Sequence, residues 1–167
     1  MRYVCLAAVV FWTVFLAAAH ALELKSPAFS YGGPIPPKYT CDGSDVSPPL
    51  QIQGLPGGTR SLALIVDDPD APRGTWVHWV VWNIPPGATR IKEGRLPQGA
   101  VEGVNDFGRR GWGGPCPPYG LHRYFFKLYA LDTVLQLPQR ANKAQLLKAM
   151  KGHVLAEAVL LGRYRRP

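Results

Sequence analysis

The sequence predicts a mainly β domain organised around an antiparallel sheet, with at most one or two helices. The 167 residues include 18 glycines and 17 prolines, which interrupt helices and suit short strands joined by many turns. Apolar residues make up 47% of the chain and charged residues 18%, so a packed core is expected and disorder is not. Two runs rich in aromatic and β-branched residues, 75–84 and 122–131, have the composition of strands.

The first 21 residues predict a cleaved signal peptide. Arg2 precedes an apolar run over residues 3–19, and Ala19-His20-Ala21 is the A-x-A pattern at which signal peptidase cuts. We therefore expect cleavage after Ala21 and export to the periplasm or the cell exterior. Residues 22–167 contain no repeat or linker and are predicted to form a single domain. An uncleaved membrane anchor is the alternative, because the run is at the short limit for a spanning helix.

Two cysteines remain after the predicted cleavage, Cys41 and Cys116. A pair with no cysteine left over, in a chain sent to an oxidising compartment, predicts one disulfide. Two separate buried thiols are the alternative. The whole chain has 19 basic and 11 acidic residues, which favours negatively charged partners. Because the basic residues are scattered and form no basic helix, no nucleic-acid binding is predicted.

The first strands are predicted from short apolar segments between turns. Residues 50–53 form a short strand that Gly54 ends. Residues 60–68 contain a continuous apolar run, which is typical of a strand covered on both faces. Pro69 and Pro72 end this strand, because proline withdraws backbone donors. Residues 75–84, with three tryptophans and three valines, form the clearest strand.

The second half of the chain predicts two more strands and one helix. Residues 105–120 are dominated by glycine and proline and are predicted to be irregular. Strands are predicted over residues 122–131 and 154–164. Between them, residues 142–151 have the spacing of a helix that Asn142 caps and Gly152 ends.

Period-two alternation assigns faces to the two longest runs. In residues 75–84 it places four side chains on one face: Trp76, His78, Val80 and Trp82. In residues 122–131 it places another four together: His122, Tyr124, Phe126 and Leu128. If the two strands pair, their register decides whether the two histidines meet.

Three titratable residues are candidates for a polar site. Asp70 lies in the proline-bounded loop, His78 on the tryptophan-rich strand and His122 at the start of the next long strand. Taken singly, each residue has an ordinary role: Asp70 as an aspartate that caps a turn, His78 as a core histidine and His122 as an exposed strand end. Together they predict a pocket in which imidazoles and the backbone N–H groups of Gly113 and Gly114 donate to an anion.

Other classes of function remain open for the same residues. Asp70, His78 and His122 also suit a metalloenzyme, although closely spaced ligand motifs are absent. They suit a hydrolase, although the chain has no G-x-S-x-G sequence. A third alternative is an inhibitor of a protease or other enzyme that acts through proline-rich loops. The prediction adopted is a protein that is not an enzyme, without metal or cofactor.

Several motifs resemble the phosphatidylethanolamine-binding protein family, also called Raf-kinase-inhibitor-like. Residues 67–72 read DDPDAP, residues 78–79 read HW and residues 113–124 read GGPCPPYGLHRY, in the order expected for the family. The opening segments, PIPPKYTCDG at residues 34–43 and SPPL at residues 47–50, resemble its bacterial and archaeal branch. The similarity extends over residues 24–165.

The resemblance implies a large antiparallel sheet packed with a smaller sheet, short flanking helices and an anion pocket at one end of the large sheet. Seven positions match the family's pocket residues: Asp70, His78, Gly113, Gly114, Pro115, His122 and Tyr124. Such pockets accept phosphate, carboxylates and phosphoryl head groups. We therefore expect an exported binding protein in which Asp70 orients an imidazole.

The resemblance also sets expectations for partners. The expected ligand is a small anionic or phosphorylated molecule. Because phosphoryl head groups are among the expected ligands, peripheral contact with a membrane is compatible with this expectation. The family resemblance leaves room for modulation of a protein partner, and bacterial relatives imply a homodimer.

Overall fold

The computed structural model describes residues 21–167, which form two β-sheets, one α-helix and one short 3-10 turn. The predicted signal peptide therefore lies outside the described residues, apart from Ala21. The strands, in chain order, are β1 (Glu23–Lys25), β2 (Gly33–Pro34), β3 (Leu50–Gln53), β4 (Ser61–Asp68), β5 (Trp76–Ile84), β6 (Arg90–Ile91), β7 (Val101–Glu102), β8 (His122–Leu131) and β9 (Val154–Tyr164). The 3-10 turn is Pro37–Tyr39, and the helix α1 is Lys143–Met150.

The large sheet has six strands in the order β2-β9-β8-β4-β5-β7, and the small sheet has three in the order β1-β3-β6. All pairings are antiparallel except that of β2 with β9, which is parallel. This arrangement confirms the predicted mainly β fold with a large and a small sheet. The five longer predicted strands and the helix are present, whereas four strands of two or three residues gave no signal in the sequence.

The strands β5 and β8 do not pair with each other, because β4 lies between them. Both run antiparallel to β4, so both begin at the end where β4 finishes. Asp68, the last residue of β4, pairs with Trp76 at the start of β5, and Asp67 pairs with Phe125 near the start of β8. At one end of the large sheet, the last residues of β4 therefore lie beside the first residues of β5 and β8.

The two faces of the large sheet cover two separate cores. One face packs against the small sheet, with Leu64 and Val66 of β4 in contact with the same cluster as Ile52 of β3. The other face packs against α1, where Ile65 of β4 and Leu146 belong to one cluster. All eight residues of β4 are buried, as predicted for a strand covered on both faces.

Alternation along β4 sends its two final aspartates to opposite faces. Asp67 lies on the helix side, where its carboxylate binds Lys127 and Lys143. Asp68 lies on the face of the small sheet, with a side chain that is 4% exposed. A buried carboxylate needs partners, so each aspartate is matched by a basic or imidazole group.

A β-bulge interrupts the alternation of β5 at His78. Val66 pairs with Trp79 and Asp67 with Val77, which leaves His78 as an extra residue between them. As a consequence Val77 shares the helix-side core with Val80. The predicted shared face of Trp76, His78, Val80 and Trp82 is therefore wrong. Trp76 and His78 lie on the side of Asp68 and Tyr124, whereas Val80 and Trp82 belong to the core on the helix side.

The glycine- and proline-rich residues 105–120 are irregular, as predicted, and contain no named strand or helix. A disulfide joins Cys116 in this segment to Cys41, as predicted from the cysteine count. Four hydrogen bonds connect the same two segments. Cys41 N donates to Pro115 O at 3.1 Å and Trp112 Nε1 to Tyr39 O at 3.2 Å, while the two Asp45 carboxylate oxygens accept from Gly114 N at 2.7 Å and from the Arg109 guanidinium at 3.2 Å.

The helix α1 begins with a reciprocal cap, as the sequence predicted. The Asn142 side chain accepts from Gln145 N, and the Gln145 side chain accepts from Asn142 N. Among residues 21–167, no helix has the length and apolarity needed to span a membrane.

The disulfide is predicted to make a large contribution to stability. It closes a loop with a sequence separation of 75 residues, so replacing both cysteines by serine is expected to lower the free energy of unfolding by about 4 kcal/mol. Urea unfolding of the double serine variant measures the change, and the reduced wild-type chain should give the same value. A loss below about 1 kcal/mol would contradict the chain-entropy account.

Candidate functional site

The end of the large sheet where β4 finishes holds a pair of buried polar side chains from neighbouring strands. His122 Nδ1 lies 2.7 Å from Asp68 Oδ2, and both side chains are about 95% buried. Because a carboxylate accepts, Nδ1 carries the proton and donates to Asp68. The ring orientation is thereby fixed with Nε2 on the side away from Asp68.

His78 is held by the irregular segment that covers the start of β5. Its Nδ1 lies 2.6 Å from the carbonyl oxygen of Gly113, which can only accept, so this nitrogen also carries a proton. Gly113 N donates back to His78 O at 3.0 Å. Within residues 21–167, neither His78 nor His122 has a hydrogen-bond partner at Nε2.

Both imidazoles line one cavity of about 300 Å³. The other residues with charged side chains in its lining are Asp68 and Arg73, and Arg73 forms no salt bridge with any residue of the described chain. The apolar walls are Ala71, Pro72, Trp76, Phe107, Pro117 and Pro118. Few polar groups within apolar walls are typical of a small-molecule site.

Phe107 closes the cavity beside His78 because Asn105 fixes the turn before it. The buried Asn105 amide donates to Gly111 O at 2.9 Å, and its carbonyl oxygen accepts from Phe107 N at 3.0 Å. The Phe107 ring meets the His78 ring edge-on with centroids 5.4 Å apart. The sequence did not identify Asn105, Phe107 or Arg73 as site residues.

Asp70 does not orient an imidazole, contrary to the sequence-based expectation. Its two carboxylate oxygens bind the Arg123 side chain at 2.7 and 2.9 Å, and one also accepts from Arg123 N. The Arg123 guanidinium holds the pKa of the Asp70 carboxyl below its ordinary value. The orienting acid is Asp68, which alternation along a buried strand could have identified.

The glycines beside the cavity do not donate to an anion as expected, because their N–H groups already donate to protein acceptors. Gly113 N donates to His78 O, and Gly114 N donates to the Asp45 carboxylate. Close packing explains these glycines, since a Cβ at Gly113 would lie 2.5 Å from the Phe107 ring. Pro115 is buried, and its carbonyl accepts from Cys41 N, so it supports the cavity wall from behind.

Tyr124 supports the site without lining the cavity. Its side chain is fully buried, and its ring meets the His78 ring edge-on at 5.2 Å. The hydroxyl has no hydrogen-bond partner among residues 21–167. Burial, together with the nearby carboxylates of Asp68 and Asp70, raises the pKa of Tyr124. The predicted ligand hydroxyl is thus a packing group for His78.

Asp70, His78 and His122 do not assemble as a metal site. Both carboxylate oxygens of Asp70 face Arg123, and Asp68 faces the protonated Nδ1 of His122. In the part of the chain that the structure describes, no group of three or more histidine, cysteine or acidic residues is arranged to hold a metal ion.

Burial lowers the pKa of His78, while the Gly113 carbonyl and the Asp68 carboxylate act in the opposite direction. The unfolded chain therefore takes up a proton at His78 at a higher pH than the folded chain. The resulting contribution to stability is complete above the ordinary pKa of about 6.5 and is lost as the pH falls through the lower folded value.

We predict that the wild-type chain loses more free energy of unfolding between pH 7 and pH 5 than a His78→Asn variant. The asparagine amide keeps a donor for the Gly113 carbonyl and has no proton to take up in this range. Urea unfolding at the two pH values measures both losses. Because the two proteins contain the same carboxylates, the titration of these groups contributes equally to both losses. Equal losses would contradict the effect of burial on His78.

Sequence comparisons place related proteins across most of the chain. The family model described as phosphatidylethanolamine-binding protein matches residues 25–165. A UPF0098 protein from Methanothermobacter thermautotrophicus is 58% identical over 150 residues, which are 87% of this chain and 99% of that protein. A UPF0098 protein from Aquifex aeolicus is 45% identical over 165 residues, which are 95% of this chain and 96% of that protein.

Solved structures give the same result. A phosphatidylethanolamine-binding protein homologue from Chlamydia trachomatis has a TM-score of 0.85 at 47% identity, covering 88% of this chain and 99% of its own. YbcL from Escherichia coli, described as a member of the mammalian family, has a TM-score of 0.83 at 34% identity, covering 89% and 100%. The chain belongs to the phosphatidylethanolamine-binding protein family.

Proposed function

We propose that this chain is an exported binding protein whose cavity holds a small phosphoryl or carboxylate group without chemical conversion. The observation that carries the proposal is the orientation of the two imidazoles. Each ring donates through Nδ1 to a fixed protein acceptor, and each Nε2 is left without a protein partner in a shared cavity. Two free ring nitrogens in a cavity of this size suit a compact group with several oxygen atoms.

The two rings play different parts toward such a group. The lowered pKa of His78 keeps its ring neutral near pH 7, so Nε2 accepts from a hydroxyl of a protonated phosphate. The ring of His122 is held by its hydrogen bond to the Asp68 carboxylate, so its Nε2 is directed away from that carboxylate and toward the ligand. Arg73, which also lines the cavity, adds a positive charge beside the ligand.

The family description supports a phosphoryl ligand. Its members are described by the binding of phosphatidylethanolamine, whose head group carries a phosphate ester. The apolar wall of Trp76, Phe107 and the prolines suits the carbon atoms next to that ester. Modulation of a protein partner, contact with a membrane and a homodimer remain expectations from the family resemblance.

Export is supported by the composition of the first 21 residues and by the cysteine pair. The A-x-A pattern follows an apolar run, and both cysteines of the following chain form one disulfide. Positive charges elsewhere on the chain favour anionic partners in the exported compartment.

We predict that inorganic phosphate binds the mature chain and that His122→Asn lowers the phosphate affinity by about tenfold or more, the value of one hydrogen bond to a charged group. Titration calorimetry of the wild-type chain and the variant with inorganic phosphate measures the effect.

Two matched controls sharpen this test. His153 Nδ1 also pairs with an aspartate, Asp132, at 2.8 Å on the surface, so His153→Asn should leave phosphate affinity unchanged. Asp68→Ala, which removes the acceptor that orients His122, should also lower phosphate affinity, whereas Asp70→Asn should not. Phosphate binding that is unaffected by His122→Asn, or that responds to Asp70→Asn alone, would overturn the assignment.

We also predict that the chain made in a bacterial host with a periplasm is recovered there with Leu22 as its first residue. The change Ala21→Arg should block cleavage, because signal peptidase needs a small residue before the cut, whereas Ala18→Ser should not. Intact mass and cell fractionation provide the measurement. A full-length wild-type chain in the membrane fraction would show a retained anchor and contradict this part of the proposal.

A further inference from the structure

The disulfide forms part of the wall of the proposed binding cavity. Both Cys41 and Cys116 are exposed, and Cys116 lines the cavity between the histidines and the prolines that follow it. Cys41 does not belong to the lining. Exposed disulfides are the ones open to exchange with thiols, since exchange requires access of a thiolate to a sulfur atom.

We propose that the cavity directs small thiols carrying a carboxylate or phosphoryl group to Cys116, where they form a mixed disulfide. The proposal extends the anion-binding function and rests on it. An anionic group held by His122, His78 and Arg73 places the remainder of a short molecule inside a volume of about 300 Å³ that Cys116 helps to line. The thiolate of such a molecule therefore reaches one sulfur of the disulfide in preference to the other.

The exchange step balances without a further reactant. The thiolate sulfur of the ligand forms a bond to Sγ of Cys116, and the bond between Cys116 and Cys41 breaks. The electron pair of that bond leaves on Sγ of Cys41, which takes a proton from water because this residue is exposed. The product carries one molecule of the thiol on Cys116 and one free thiol on Cys41.

The surrounding hydrogen bonds make the exchange reversible. Four hydrogen bonds join the two segments independently of the disulfide, among them Cys41 N to Pro115 O and Gly114 N to Asp45. These contacts keep the Cys41 thiol near the mixed disulfide after exchange. Attack by Cys41 on Cys116 then releases the ligand thiol and restores the original bond.

The test compares two thiols of similar size, 3-mercaptopropionate, which carries a carboxylate, and 2-mercaptoethanol, which is neutral. Each is added to the mature oxidised chain at matched thiolate concentration, and the reaction is stopped by alkylation with iodoacetamide. Intact mass and peptide mapping are expected to show the adduct on Cys116 and the alkyl group on Cys41. We expect the initial rate for 3-mercaptopropionate to be at least about tenfold higher, as for other charge-directed encounters.

Variants and a competitor separate this proposal from the proposed function. Arg73→Gln and His122→Asn should reduce the preference for the carboxylate thiol, and His153→Asn should not. Equal rates for the two thiols, or an adduct on Cys41, would overturn the exchange proposal even if phosphate binds by calorimetry. Selective adduct formation on Cys116 without measurable phosphate binding would support exchange and remove phosphate from the proposed function.

Discussion

The hydrogen bond between Asp68 and His122 is the interaction on which the candidate site depends. It joins the last residue of β4 to the first of β8, with both side chains buried. Because β4 is antiparallel to both neighbours, the same end of the sheet also receives the start of β5 and its histidine. The order of three strands thus brings together residues that are far apart in the sequence.

The irregular segment over residues 105–120 forms the part of the candidate site that the sheet does not provide. Asn105 fixes the turn that places Phe107 against His78, and the Gly113 carbonyl determines which nitrogen of His78 is protonated. The disulfide and four hydrogen bonds hold this segment against residues 39–45. The shape of the cavity is therefore set by covalent and hydrogen-bond constraints on a segment without regular structure.

Much of the fold could be predicted from the sequence, since long apolar strands and a capped helix have strong local patterns. The candidate site could be predicted only in part. His78 and His122 were identified, but a bulge reversed the expected face of His78. The proline-bounded loop and the family resemblance point to Asp70, whereas its partner Arg123 becomes visible only when the strands are assembled.

The most direct test of the central claim is the ring-nitrogen NMR spectrum of the mature chain with and without phosphate. The account predicts that His78 and His122 both carry a proton on Nδ1, and that phosphate shifts the Nε2 signals of both while leaving His153 unchanged. Nε2 signals of His78 and His122 that do not respond to phosphate, or a response confined to His153, would contradict it.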